Sequence, residues 1–296
     1  MVKTEQRSTA YKNIDTWPDD KILAAFVDGQ ERAITAVRTA IPQISESADA
    51  LATNLKKGGR LFYAGAGTSI RVGVQDGSEL PATFGMEKDK IGYLIAGGRA
   101  AMFDTLADAE DNAEEGALAA SDLKPNDTLV AVAASGTTPY TVAAAKRARE
   151  NGATVIAVVN NPNSPLAAAA HIEILLNSGA EVIAGSTRMG AGTSQKAALN
   201  LLSTLAHIKL GAVYDGMMVN VLAGNLKLKK RALGIVSLVT GAKEGVAASA
   251  LEAAKGEVKP AILLCTGVES IDVARQRLFE SEGNLRLALK GLAAKQ

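Results

Sequence analysis

The sequence predicts an α/β protein: a doubly wound, parallel five-stranded sheet preceded by helices and followed by an all-helical region. Three observations carry this. Five short apolar runs, each bounded by Gly, Asn, Pro or Ser, recur between positions 60 and 177. They are continuous rather than alternating, as strands covered on both faces are. Helical segments separate them, and strand–helix alternation is the pattern of a doubly wound sheet.

Residues 1–18 are polar and irregular and end in Trp17-Pro18. From Asp19 to Leu55 the apolar residues Ile22, Phe26, Ile34, Val37 and Ile41 fall near helical spacing, and Pro42 interrupts them, predicting two helices or one kinked helix. The strand runs follow: "RLFYAGAG" (60–67), "IGYLIAGG" (91–98), "TLVAVAAS" (128–135), "TVIAVVNN" (154–161) and "IEILLN" (172–177). The clearest intervening helix is "TPYTVAAAKRARENG" (138–152). After Gly190 the pattern is all-helical, with a helix over 193–211 stopped by Gly211 and shorter helices over 216–296 separated by Gly and Pro260. The boundaries expected are an N-terminal arm and helices (1–50), the sheet domain (51–214) and a C-terminal helical region (215–296).

Composition narrows the function classes. A chain of 296 residues with 47 % hydrophobic but only 4 % aromatic content suits small-residue helices packed on a parallel sheet. A net charge of +1 argues against nucleic acid or an acidic membrane surface as partner. Cys265 is the single cysteine, so an internal disulfide is impossible and a reducing compartment is expected. With His171 and His207 the only histidines, no zinc site is expected. The start, "MVKTEQRSTAYK", lacks an apolar core, and no run approaches a membrane span, so a cytoplasmic protein is expected.

Ligands of such sheets sit beyond the carboxyl ends of the strands. The loop after the first run, "GAGTS" (65–69), fits neither common phosphate motif: the third glycine of the dinucleotide fingerprint is replaced by Ile70, and no P-loop lysine follows. Two readings stay open. Thr68 and Ser69 beside the N–H of Gly67 suit a phosphate or sugar oxygen at a helix start, or they simply cap that helix. The loop "ASGTTPY" offers Ser135, Gly136, Thr137 and Thr138. The loop "AGSTRMGAGTSQK" offers Ser186, Thr187, Arg188 and Lys196. Three hydroxyl-rich loops on one sheet edge point to a phosphorylated polyol, its phosphate among hydroxyls and amides with Arg188 or Lys196 supplying charge. A surface ion pair is the plainer role for Arg188.

The Gly-Thr-Ser and Ser-Gly-x-Thr loops resemble the sugar isomerase (SIS) domain. The longer stretches "TEQRS", "GAGTSIRVGVQDGSELPATFG", "IAGG", "AEDN", "AASGTTPY", "GSTRMGAGTSQKAALNLLST" and "GAVYDGMMVNV" resemble the N-acetylmuramic acid 6-phosphate etherase family, in one register over nearly the whole chain. The resemblance implies cleavage of the ether between D-lactate and the sugar by ring opening, elimination of lactate and addition of water, with no metal or organic cofactor. It implies that Glu79, in Ser-Glu-Leu-Pro, is an acid/base and that Glu110, in Ala-Glu-Asp, is a second catalytic glutamate. It also implies a homodimer with sites near the subunit interface.

Two glutamates fit that chemistry. An ether oxygen leaves only when protonated, and the proton alpha to an aldehyde needs a placed base, so one carboxyl must be protonated near neutral pH and one ionised. Leu80 and the Val72–Val74 region would desolvate Glu79. The plainer alternatives are a helix or turn carboxylate for Glu79 and a solvated helix face for Glu110. Where the family has Gly, Cys-Pro-Pro and Arg, this chain has Ile70, Leu80-Pro81-Ala82 and Thr137, and the amino-terminal motif continues as Arg7-Ser8-Thr9. Ile70 is expected to add bulk beside the phosphate loop, and Thr137 to remove a cation. Two competing functions remain: an aldose–ketose phosphosugar isomerase, for which neither histidine lies in a strand-end loop, and a non-catalytic phosphosugar sensor, which has no need of an acid at Glu79.

Overall fold

The computed structural model describes residues 2–104, 108–221 and 226–292. The first long helix, α1 (Asp19–Thr39), opens with Asp19 and Asp20, where the helix dipole favours carboxylates. Pro42 does not kink it. The chain breaks at Ala40 and restarts as α2 (Ile41–Lys56), with Pro42 in the first turn, where a missing N–H goes unused.

Each apolar run contains one strand: β1 (Leu61–Gly65), β2 (Ile91–Ile95), β3 (Thr128–Ala133), β4 (Thr154–Val159) and β5 (Ile172–Leu175). They form one parallel sheet in the order β2-β1-β3-β4-β5. All six residues of β3 are buried, which is why the runs show no alternation. The helices between and after them are α3 (Gly67–Phe84), α4 (Ala113–Ala119), α5 (Pro139–Glu150), α6 (Pro165–Ala169) and α7 (Gly190–Lys209).

Two polar clusters fix the sheet. At its amino edge, Asp127 accepts the Arg60 backbone N–H at 2.8 Å, the Lys124 N–H at 2.9 Å and the Arg60 guanidinium at 2.7 Å. Burial pushes the Asp127 carboxyl up, but these donors, led by the Arg60 side chain, hold it below the ordinary aspartate value. Beside β1, Asp76 of α3 accepts from Tyr63 at 2.6 Å, Asn200 at 2.5 Å and Ser203 at 2.9 Å. That carboxylate ties α3 to β1 and α7, and burial beside it raises the Tyr63 hydroxyl well above its usual range.

The chain divides into two compact units, Met1–Gly77 with Asp89–Leu205, and Ser78–Lys88 with Ala206–Gln296. The helices α3 and α7 pass from the first unit into the second. The second unit has its own apolar core, built on Val236, Ala247, Ala261, Ile262 and Ala274, from α8 (Leu226–Thr240), α9 (Glu244–Ala253), α10 (Val258–Cys265), α11 (Ile271–Glu280) and α12 (Leu285–Ala288). Gly211, at φ +75°, ends α7 as expected, with Ala212 N–H bonding His207 O at 2.9 Å.

One element corrects the all-helical reading after Gly190. A two-stranded ribbon, β6 (Val213–Tyr214) and β7 (Met217–Met218), turns through Asp215 and Gly216, both at positive φ. Asp-Gly between two short apolar pairs is a tight-hairpin signal that the helical pattern around it obscures.

Candidate active site

In the strand order found here, β1 is the point where the winding reverses, and a crevice opens beyond the carboxyl ends of β1 and β3. Local sequence shapes both sides. A methyl group on Gly65 would lie 2.8 Å from Val132 O, so β1 ends against β3 only as glycine. Gly136, at φ +70°, makes the turn after β3, and a methyl group there would collide with Ser164 Oγ. Pro139 then starts α5.

The crevice is a cavity of about 350 Å³ lined by Ala66–Ser69, Val132–Ser135, Thr137–Pro139, Glu110, Asp111, Thr187 and Glu5. It therefore brings together Gly67, Thr68, Ser69, Ser135, Thr137, Thr138, Thr187 and Glu110 of the expected residues. Among the described residues, the backbone N–H groups of Gly67, Thr68 and Ser69 have no backbone partner. The α3 amino end thus presents donors and a partial positive charge. The loop after β3 is ordered by its own hydroxyls: Ser135 Oγ accepts the Thr137 N–H at 3.1 Å and the Thr137 hydroxyl at 3.0 Å. Donor-rich helix starts of this kind suit an anion.

Three acidic residues line the same cavity. Glu110 and Asp111 lie in a short turn, Ala109–Asp111, entered through Asp108 at φ +61°. Asn112 caps α4, accepting the Glu115 N–H at 3.0 Å, so Glu114 and Glu115 belong to the helix and Glu110 precedes it. Gly116 lets α4 approach the Tyr140 backbone of α5. The third carboxylate, Glu5, is brought by the amino-terminal arm. There Thr4 is fully buried and Asn161 holds the arm, accepting Lys3 N–H at 2.7 Å and donating to Thr4 at 3.1 Å and to Ala134 O at 2.8 Å. Among the described residues, no cluster of His, Cys, Asp or Glu has the arrangement to hold a metal ion.

Other expected residues lie elsewhere. Gly136 shapes the loop without lining the cavity, and neither Ser186 nor Arg188 reaches the lining. Arg188 is exposed. Lys196 is exposed on α7, while its neighbours Ser194 and Gln195 are buried, because helical rotation sends successive side chains to different faces. No lysine or arginine is among the described lining residues. The α7 start is itself closed to an anion: buried Glu181 accepts the N–H groups of Gly190 at 3.0 Å and Ala191 at 2.8 Å. Glu79 lies in the second unit, exposed, while its neighbour Leu80 is buried. Leu80 therefore does not cover the Glu79 carboxylate. Ile70 is 1 % exposed, so its bulk goes into the interior and not into the loop at 65–69.

The histidines have structural places. His171 Nδ1 accepts the Val155 N–H at 3.0 Å, and buried His207 stacks on Phe84 at 4.6 Å. Glu5, Asp111, Gln195 and Glu181 were not singled out from the sequence. Of these, Glu5, Asp111 and Gln195 lie in the family-like stretches "TEQRS", "AEDN" and "GSTRMGAGTSQKAALNLLST", and Glu181 lies in none of them.

Comparison with known proteins gives the family. The SIS domain model matches residues 104–202, and the glucokinase regulatory protein N-terminal SIS domain model matches residues 43–148. Among solved structures, a phosphoheptose isomerase from Francisella tularensis matches 64 % of this chain and 96 % of its own at 20 % identity, with a TM-score of 0.47. N-acetylmuramic acid 6-phosphate etherase of Deinococcus radiodurans is 43 % identical over 97 % of this chain and 95 % of its own. The protein of the same name from Symbiobacterium thermophilum is 47 % identical over 90 % and 89 %. At that identity, over that much of both chains, the protein belongs to the N-acetylmuramic acid 6-phosphate etherase family.

Proposed function

We propose that the chain cleaves the D-lactyl ether of N-acetylmuramic acid 6-phosphate, giving N-acetylglucosamine 6-phosphate and D-lactate. The observation that carries this is the cavity at the ends of β1 and β3, where an open helix start and hydroxyls of Thr68, Ser135 and Thr138 stand beside the Glu110 carboxylate. The donors suit the 6-phosphate without a cation from the chain, since backbone N–H groups and the helix dipole supply the positive field.

In the opened sugar, a base removes the proton on the second carbon, the bond from the third carbon to the ether oxygen breaks, and an acid protonates that oxygen as lactate leaves. Water then adds at the third carbon and a proton returns to the second. Glu79 and Glu110 are the two proton-transfer groups in this reading, supported by their Ser-Glu-Leu-Pro and Ala-Glu-Asp settings. Each such group typically contributes 10²–10⁴-fold. Substrate hydroxyl contacts are assigned to Thr137 and Thr187, which also line the cavity.

A homodimer is part of the proposal. Leu23, Val27 and Ile34 are exposed on α1 and fall within about 40° of one another around the helix, an apolar stripe suited to a second copy. Among the described residues no helix is long and apolar enough to cross a membrane, and the reading assigns the enzyme to the cytoplasm. Incubating purified protein with N-acetylmuramic acid 6-phosphate and assaying D-lactate tests the function. Stoichiometric lactate supports it, and intact substrate refutes it.

A further inference from the structure

We infer that Gln195 sets the hydrogen-bonding polarity of Ser69, so that Ser69 faces the cavity as an acceptor and reads a donor of the sugar, a hydroxyl or the acetamido N–H, instead of the phosphate. The inference rests on reading the cavity as a phosphosugar site.

The polarity is fixed far from the cavity and relayed to it. Leu176 O, at the end of β5, can only accept, and it takes an Asn160 Nδ2–H at 2.9 Å. The second Nδ2–H goes to Ser194 Oγ at 2.9 Å, whose own proton is given to Ala191 O at 2.8 Å. Asn160 must then turn Oδ1 toward Gln195, whose Nε2 donates to it at 3.0 Å. That orientation leaves Gln195 Oε1 facing Ser69, which donates its hydroxyl proton at 3.0 Å. Asn160 and Ser194 are fully buried, Gln195 is 1 % exposed and Ser69 is 9 % exposed. Reversing either amide in so dry a chain would set two acceptors or two donors against each other.

With its proton committed, Ser69 offers the cavity only lone pairs. A phosphate monoester above its second pKa of about 6 also offers only acceptors. The two cannot hydrogen-bond. Ser135, across the cavity, has the opposite polarity. It accepts from the Thr137 N–H and the Thr137 hydroxyl, so its own proton is available. The phosphate therefore belongs with Ser135 and the amides opening α3, and a donor of the sugar belongs with Ser69. Gln195 is a positioning residue, acting through Ser69 without touching the ligand.

The test compares N-acetylglucosamine 6-phosphate with inorganic phosphate by calorimetry, at a pH above 7. Ser69→Ala is expected to weaken the phosphosugar roughly three- to tenfold, the loss of one hydrogen bond, and to leave inorganic phosphate unchanged. Ser135→Ala is expected to weaken both. Gln195→Met removes the acceptor that orients the Ser69 hydroxyl, so the phosphosugar should bind more weakly while inorganic phosphate is unchanged, a split that general structural damage would not give. Equal weakening of both ligands in Ser69→Ala, or parallel losses in Gln195→Met, overturns the inference. Because binding is measured, failure of lactate release alone would refute only the catalytic reading. Wild-type protein that binds neither ligand would refute the phosphosugar site and this inference with it.

Discussion

Glu181 accepts the Ala191 N–H at 2.8 Å and so spends the start of α7 on the protein's own carboxylate. A buried acid at a helix start satisfies orphan amides and interacts with the dipole. Glu181→Ala removes two charge-assisted bonds, the second to Gly190. It should lower stability by about 1.5–3 kcal/mol, seen as a lower melting temperature. An unchanged melting temperature would show that the cap contributes nothing.

Gly136 tests the shape of the second loop. Gly136→Ala places a methyl group against Ser164 at a positive φ, a conformation costing an L-residue roughly 1–2 kcal/mol. The loop must move, and displacement of binding groups by about 1 Å can cost on the order of 10²-fold in rate. Steady-state kinetics should show a loss of kcat/KM of that size. Wild-type kinetics would mean that the loop does not hold substrate.

Five strands, their parallel arrangement, the restart of helix at Pro42 and the Gly211 stop were legible because each rests on local chemistry: continuous apolar runs, a ring without an N–H, and a glycine at positive φ. The hydroxyls of Thr68, Ser135, Thr137 and Thr138 were legible for the same reason, since they occupy strand-end turns. What was not legible depends on distant pairing. Nothing near Arg188 or Lys196 in sequence announces that Glu181 occupies the α7 start, and the rotation of α7 that buries Gln195 exposes Lys196. Ile70 looked like bulk beside the loop because sequence does not give the direction of a side chain at a helix start.

Asp127 predicts a pH effect. Its carboxyl is held below the ordinary value, so the stability it contributes is present above an unfolded value of about 3.9 and lost as pH falls through the lower folded value. Asp127→Asn should cost about 1.5–3 kcal/mol at pH 7, with the difference from wild type narrowing below about pH 4. Chemical denaturation at pH 7 and pH 3.5 measures it, and a difference that grows in acid would contradict the assignment.

The glutamates separate binding from chemistry. Glu110→Gln and Glu79→Gln are nearly isosteric, so if these carboxyls transfer the protons as proposed, each variant should lower kcat by about 10²–10⁴-fold while N-acetylglucosamine 6-phosphate still binds. Rapid-quench turnover paired with calorimetry distinguishes this from a binding defect. Wild-type turnover in either variant removes that residue from the mechanism.

The most direct measurement is turnover of N-acetylmuramic acid 6-phosphate in ¹⁸O-labelled water, with both products examined by mass spectrometry. Elimination and water addition break the bond on the sugar side of the ether oxygen. One ¹⁸O on the third carbon of N-acetylglucosamine 6-phosphate and unlabelled D-lactate are expected. Label in the lactate hydroxyl, or no lactate at all, would contradict that route.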